Sequence, residues 1–268
     1  MNDLIRDGYI IVKNAISPKK IKLVQSEINS FLSNKKKSSY ETFLKSLKRF
    51  KIREFDLVKK IHENVMYKEL IDKILYEKKL YSKISYYLGR DISYCSDISF
   101  ALNIPKKNLP EKNYLFKDWH QEIWSGANSS SLQIWTPIFQ KKNEPGQIEI
   151  VKGSHKWGHI PHKNRSPINL PKKLNKIKIN INEGDAIIFS TLLLHRSVSA
   201  NQPRLAMATC LKNFKYKNFS FEENRNWKIL SYSEITKIER ILGNHYLSPF
   251  RVTDLETDVL SGTVKNNN

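Results

Sequence analysis

The hydrophobic pattern changes character near residue 90. Gly8 to Val12 is a compact apolar run ended by Lys13 and Asn14, the length of a short strand. Ser17-Pro18 then supplies an N-cap residue and a first helical residue. From Lys19 to Leu32 apolar residues return at helical spacing, at Ile21, Val24, Ile28, Phe31 and Leu32. Further helices are expected at about 41–49, 55–64 and 67–89, the last ending near Gly89. From Asp91 the period shortens. Residues 92–104 partly alternate, and 132–139, 147–151, 177–181, 186–189 and 205–211 read as strands. Pro105, Pro110, Glu144-Pro145-Gly146, Gly153-Ser154 and Glu183-Gly184-Asp185 punctuate them as turns. A last helix is expected over Ser233–Leu242, capped by Ser233, followed by a mobile tail over 261–268.

Many short strands with such punctuation predict a mainly β fold with flanking helices, an antiparallel sandwich or barrel of the jelly-roll kind. We read one domain over 1–268: a mostly helical part (1–90), a jelly-roll core (91–214) and a C-terminal extension (215–268). Its 268 residues, with 40% hydrophobic and 27% charged, exclude a wholly disordered chain. The longest strongly apolar stretch, Ala186 to Leu194, falls far short of the ~20 residues a spanning helix needs. The opening residues place acids and a glycine where a signal peptide needs a basic and then an apolar region. The two cysteines, Cys95 and Cys210, form no metal-spacing or disulfide pattern. A reducing, cytoplasmic setting is the expectation.

The net charge is +20, from 36 Lys and 10 Arg against 26 acids. It is spread as +11 over residues 1–90, +8 over 91–214 and +1 over 215–268. Part of this is the lysine bias of an Ile- and Asn-rich chain. Two readings stand for the rest: a basic surface that attracts an anionic substrate, nucleic acid or membrane headgroups, or a solvated helical face rich in lysine. A nucleic-acid partner would rest on charge alone, since no RGG or zinc-finger module is present.

Candidate chemistry concentrates in two places. His120-Gln121-Glu122 would, on a strand, present an imidazole and a carboxylate on one face with Gln121 pointing away. Such a tripeptide alone is weak evidence. The segment GDAIIFSTLLLHRS (184–197) then places His195 directly after a buried strand, and Arg204 follows nine residues later. Two histidines and one carboxylate match the facial triad of non-haem Fe(II) oxygenases. An arginine nearby suits the distal carboxylate of 2-oxoglutarate, because its planar fork pairs bidentately with a carboxylate. His155, His159 and His162 form a competing cluster, but Gly158 and Pro161 argue against the regular helix a zinc site would need there. His62 and His245 read as structural or uninvolved.

These motifs resemble the phytanoyl-CoA dioxygenase family of Fe(II)/2-oxoglutarate-dependent oxygenases. The likeness begins at DGYIIVKNAIS (7–17) and continues through WHQE (119–122), LQIWTPIF (132–139), EPGQIEIVKGSHKWG (144–158) and GDAIIFSTLLLHRSVSANQPR (184–204). It implies a double-stranded β-helix (cupin-like jelly roll) and a metal bound by His120, Glu122 and His195. It further implies that Arg204 and Ser197 hold the 2-oxoglutarate C5 carboxylate and that Trp135 lines that pocket. The implied cofactors are Fe(II), 2-oxoglutarate and O2, with ascorbate as a candidate reductant. The Gly153-Ser154-His155 turn is implied to be loop architecture. Glu122 stands where the family usually has Asp, and a carboxylate here favours hydroxylation or desaturation over halogenation. The expected substrate is a small, anionic metabolite: an acyl-CoA or carrier conjugate, an acidic or nucleotide-linked sugar, or a phosphonate. The 105–117 loop and residues 1–90 would shape its pocket, with Trp124 and the 155–165 loop at the rim. The alternatives are a catalytically silent relative that binds through its basic surface, and a nucleic-acid-modifying oxygenase.

Overall fold

The computed structural model describes residues 3–48, 54–97, 99–105, 118–125, 127–142, 144, 146–163, 166–198, 201–215, 226–242, 257–258 and 263–264. A short helix α1 (Leu4–Asp7) precedes strand β1 (Tyr9–Val12). Helices α2 (Pro18–Ser33), α3 (Tyr40–Leu47), α4 (Glu54–Tyr67), α5 (Leu70–Leu75) and α6 (Lys78–Leu88) follow. Then come β2 (Ile92–Cys95), β3 (Phe100–Asn103), β4 (Leu132–Phe139), β5 (Gly146–Val151), and a small ribbon of β6 (His162–Lys163) and β7 (Ser166–Pro167). Next are β8 (Lys176–Ile181), β9 (Ala186–Ser190), β10 (His195–Ser197), β11 (Arg204–Asn213), β12 (Trp227–Ser231), α7 (Glu234–Leu242), and the pair β13 (Thr257–Asp258) and β14 (Thr263–Val264).

Two antiparallel sheets form the jelly roll. The larger has the order β1-β9-β4-β11-β2-β12, with β3 also on β11, and the smaller has the order β10-β5-β8. Alternation along the central strands explains why both faces of the larger sheet are apolar. On β9, Ala186 and Ile188 join the helix-side core, whereas Ile187 and Phe189 face the interior of the roll. On β4, Ile134 and Ile138 face the helices and Trp135 faces inward, so all eight residues are buried. The smaller sheet has one wet face. On β8, Ile179 and Ile181 are buried while Lys176, Lys178 and Asn180 are exposed.

The helices cover the outer face of the large sheet. α2 buries Ile21, Val24, Ile28 and Leu32 as the spacing predicts, but Phe31 is exposed. Ser17 is the N-cap of α2, yet its hydroxyl makes no capping bond. Glu77 accepts from both Ser17 N (3.1 Å) and Ser17 Oγ (3.2 Å). The same contact explains why the helix expected over 67–89 is two. Tyr76 and Glu77 leave helical geometry between α5 and α6, and Glu77 is held by Ser17, sixty residues away. Ser39 caps α3, accepting from Thr42 N, and Ser233 caps α7, accepting from Thr236 N. Strands β10 and β12 and helix α1 were not legible beforehand. No described helix is long and apolar enough to cross a membrane. Of the expectations for the 105–117 loop and the 261–268 tail, residues 106–117, 261–262 and 265–268 lie outside the described residues, as does His245.

Candidate functional site

His195 opens β10 at the edge of the smaller sheet, opposite Ile150 on β5. His120 is not on a continuous strand, contrary to expectation. It makes an isolated antiparallel bridge to His195, with His120 N to His195 O at 2.9 Å and His195 N to His120 O at 3.0 Å. The backbone then turns at once into a 3-10 turn, Glu122–Ser125. Glu122 therefore reaches the same centre from a turn, where a strand's two-residue alternation does not apply.

The three side chains converge. Glu122 Oε1 lies 3.3 Å from His120 Nε2 and 3.4 Å from His195 Nε2. One donor atom from each residue falls within 4.8 Å of the others, and all three residues are buried. Donors held ~2.1 Å from one ion at ordinary coordination angles would lie about 3.0–3.4 Å apart, so this set fits a first-row divalent metal. Each histidine is oriented through its other nitrogen. His120 Nδ1 donates to Asp118 O (2.6 Å) and His195 Nδ1 donates to Leu193 O (2.9 Å). A carbonyl can only accept, so each Nδ1 carries the proton and each Nε2 offers a lone pair to the centre. Phe189 packs edge-on against His195 at 4.7 Å.

Arg204 opens β11, and Tyr40 on α3 fixes this strand's start by donating to Pro203 O at 2.7 Å. The guanidinium is buried and lies over the Trp135 ring at 5.1 Å. It donates to Gln147 O at 3.5 Å, and no carboxylate among the described residues pairs with it. Burial lowers its pKa to about 10, so it remains a cation at neutral pH. A buried cation without an anion is costly, which marks a place for an anionic group from outside. Ser197 lies two residues beyond His195 on β10, opposite Ile148. Val198 N approaches the same Gln147 carbonyl at 3.5 Å, so the end of β10 and the guanidinium meet there. The sequence thus brings His120, Glu122 and His195 into one cluster, and Arg204 and Trp135 into direct contact.

The other histidines separate from this centre. His155 Nε2 donates to Ile5 O at 2.9 Å, and Ser154 Oγ accepts from Leu194 N at 2.8 Å. The Gly153-Ser154-His155 turn is therefore loop architecture that holds the residue before His195. His162 stacks on Trp124 at 4.4 Å, and His159 lies 5.8 Å from His162. Among the described residues the only group that could hold a metal is the His120–Glu122–His195 set. A cleft of about 990 Å³ bordered by Gln25, Tyr40, Lys141 and Glu183 contains none of these side chains.

Sequence reading missed Gln121. Far from pointing idly away, its amide is fully buried and bonded at three points, to Gly158 O, Leu192 O and Ile160 N. An uncharged polar residue between two metal-type ligands was the available signal.

The family model for phytanoyl-CoA dioxygenase (PhyH) matches residues 4–205. No curated protein matches the chain. Among solved structures, the non-haem monooxygenase ThoJ in its apo form is similar at a TM-score of 0.57 and 13% identity, over 86% of this chain and 83% of that one. Its nickel complex gives 0.52 at 13% identity, over 86% and 82%. The non-haem α-ketoglutarate-dependent epimerase SnoN from nogalamycin biosynthesis gives 0.51 at 12% identity, over 86% and 94%. At these identities the structures attest the shared jelly-roll fold. The family match covers most of the chain, and the chain belongs to the phytanoyl-CoA dioxygenase (PhyH) family of non-haem iron- and 2-oxoglutarate-dependent enzymes.

Proposed function

We propose that this protein is an Fe(II)- and 2-oxoglutarate-dependent dioxygenase that hydroxylates a small anionic metabolite. The observation that carries the reading is the convergence of two oriented imidazoles and one carboxylate oxygen, 3.3 and 3.4 Å apart, in a buried cluster. His120, Glu122 and His195 would hold the iron. When bound, iron with 2-oxoglutarate and O2 supplies the oxidising power that a protein side chain lacks.

The chain's own residues do the binding and orienting. Leu193 O and Asp118 O fix the two ring orientations, which leaves each Nε2 as the ligand atom. Arg204 supplies the missing counter-charge for the distal carboxylate of 2-oxoglutarate, with Trp135 packed beneath the guanidinium and Ser197 as a hydroxyl donor to the same group. Inside the roll, Ile148, Ile150, Ile187, Phe189 and Ala206 make a dry wall next to Trp135. Trp124 and His162, stacked beside the Glu122 turn, form a rim for substrate. The +20 charge supports an anionic substrate, such as an acyl-carrier conjugate, a nucleotide-linked or acidic sugar, or a phosphonate. Ascorbate would serve as a reductant keeping the iron ferrous.

The test is succinate formation from 2-oxoglutarate by the purified chain with added Fe(II) under air, followed by a metabolite-pool screen for the gain of one oxygen. Absence of succinate together with absence of metal binding would favour a silent binding protein.

A further inference from the structure

Between two residues of the metal cluster stands a buried amide that makes three hydrogen bonds, using both of its donors and its oxygen, to two other chain segments. Gln121 Nε2 donates to Leu192 O at 2.6 Å and to Gly158 O at 2.9 Å, while Gln121 Oε1 accepts from Ile160 N at 2.8 Å. Leu192 lies on the β9–β10 connection, three residues before His195. Gly158 and Ile160 belong to the loop after the Gly153-Ser154-His155 turn, which itself grips Leu194 N. Two further bonds run parallel to this brace: Ile123 N to Thr191 O at 3.2 Å, and Trp124 Nε1 to Ile160 O at 3.0 Å.

The geometry points to Gln121 as a positioning residue for the metal centre, a cross-brace that sets the separation of the His120–Glu122 arm from the His195 arm. This rests on the proposed metal-binding role of the triad and adds the part that fixes its spacing. The reason is geometric. Glu122 opens a 3-10 turn and is not in a strand, and the amide of the residue before it ties that turn to the β9–β10 connection and to the 158–160 loop. Only a glutamine-length amide offers two donors and one acceptor at this reach, and metal sites tolerate ligand displacements of only about 0.2 Å.

The experiment is a Co(II) titration of metal-free protein, read by visible absorption at a temperature where circular dichroism shows each variant folded. Gln121→Met keeps the volume and removes all three bonds. It is expected to weaken Co(II) binding about 10–100-fold, the range for lost ligand-orienting contacts. Thr191→Val is the control. It deletes a buried hydroxyl bond from the same connection, Thr191 Oγ1 to Asn128 O at 2.7 Å, and is expected to lower the melting temperature with Co(II) affinity within threefold of wild type. If Gln121→Met does not fold, Gln121→Asn keeps an uncharged amide but shortens it by one methylene, so that it cannot reach all three partners, and an affinity several-fold below wild type is expected. Wild-type affinity in a folded Gln121 variant overturns the brace alone. An equal loss in Thr191→Val also overturns it, because general loosening would then suffice. A wild-type chain that binds no Co(II) overturns the metal reading and the brace with it.

Discussion

Replacing Glu122 with aspartate removes one methylene from the side chain that faces both imidazoles. With the backbone held, the carboxylate retracts by about 1.3 Å, slightly less than one C–C bond. Its oxygen, now 3.3 and 3.4 Å from the two Nε2 atoms, would withdraw to about 4.5 Å. Metal–oxygen bonds are about 2.0–2.2 Å and tolerate about 0.2 Å, so the third ligand is lost unless the 3-10 turn slides inward. The Gln121 bonds and the Ile123 N to Thr191 O bond oppose that slide. We expect Glu122→Asp to weaken Co(II) binding at least about 100-fold, which is about 2.7 kcal/mol. The metal-free melting temperature should stay nearly unchanged, since the methylene removed belongs to none of the apolar clusters of the core. Titration of the metal-free protein followed by visible absorption measures the first, and circular dichroism the second. A dissociation constant within threefold of wild type would refute the reasoning, even though aspartate is the usual family residue. It would mean that the turn adapts freely and that local backbone placement does not select glutamate.

Arg204→Met should abolish 2-oxoglutarate binding while leaving the melting temperature equal or higher, because a buried cation that no carboxylate among the described residues pairs with is replaced by a side chain suited to the interior. Thermal shift with added 2-oxoglutarate checks both: wild type should rise and the variant should not. Asp7 is buried, and hydrogen bonds from Arg6, aided by Lys152, hold its carboxyl well below the usual range. Its stabilisation is therefore present above the unfolded pKa of about 4 and lost as pH falls further toward the folded value. The melting-temperature gap between wild type and Asp7→Asn should be largest near neutrality and shrink below about pH 4; a gap independent of pH would count against it. Gly8 has φ +86°, and a Cβ there would lie 2.5 Å from the His155 ring and 2.7 Å from Leu193. Gly8→Ala should cost about 2–4 kcal/mol by denaturant titration, from the positive φ and the overlap together.

Period and punctuation were enough to read most strands of the roll, though not β10 or β12. Residues 132–139 and 186–189 are buried throughout and mostly apolar because the sheet they build is covered on both faces, while 176–181 alternates because its sheet is covered on one. Residue type and order likewise marked His120, Glu122, His195 and Arg204, since few other arrangements use these side chains at such separations. Local pattern also set the cap at Ser233, whose partner lies three residues on, whereas the Ser17 hydroxyl is drawn away to Glu77.

Contacts made across long stretches of chain were decided only in three dimensions. Glu77 breaks a helical pattern because Ser17 claims its carboxylate. Glu122 leaves the expected strand because His120 pairs with His195 alone, and the turn that follows is held by Gln121. Arg204 has Trp135 beneath it, and no acid among the described residues beside it, only after β4 and β11 have paired. Sequence alone thus determined which groups are available and the periodicity of the elements that carry them, both local properties. Tertiary structure decided their distances and their unmet charges, because these depend on hydrogen bonds between residues tens to hundreds of positions apart.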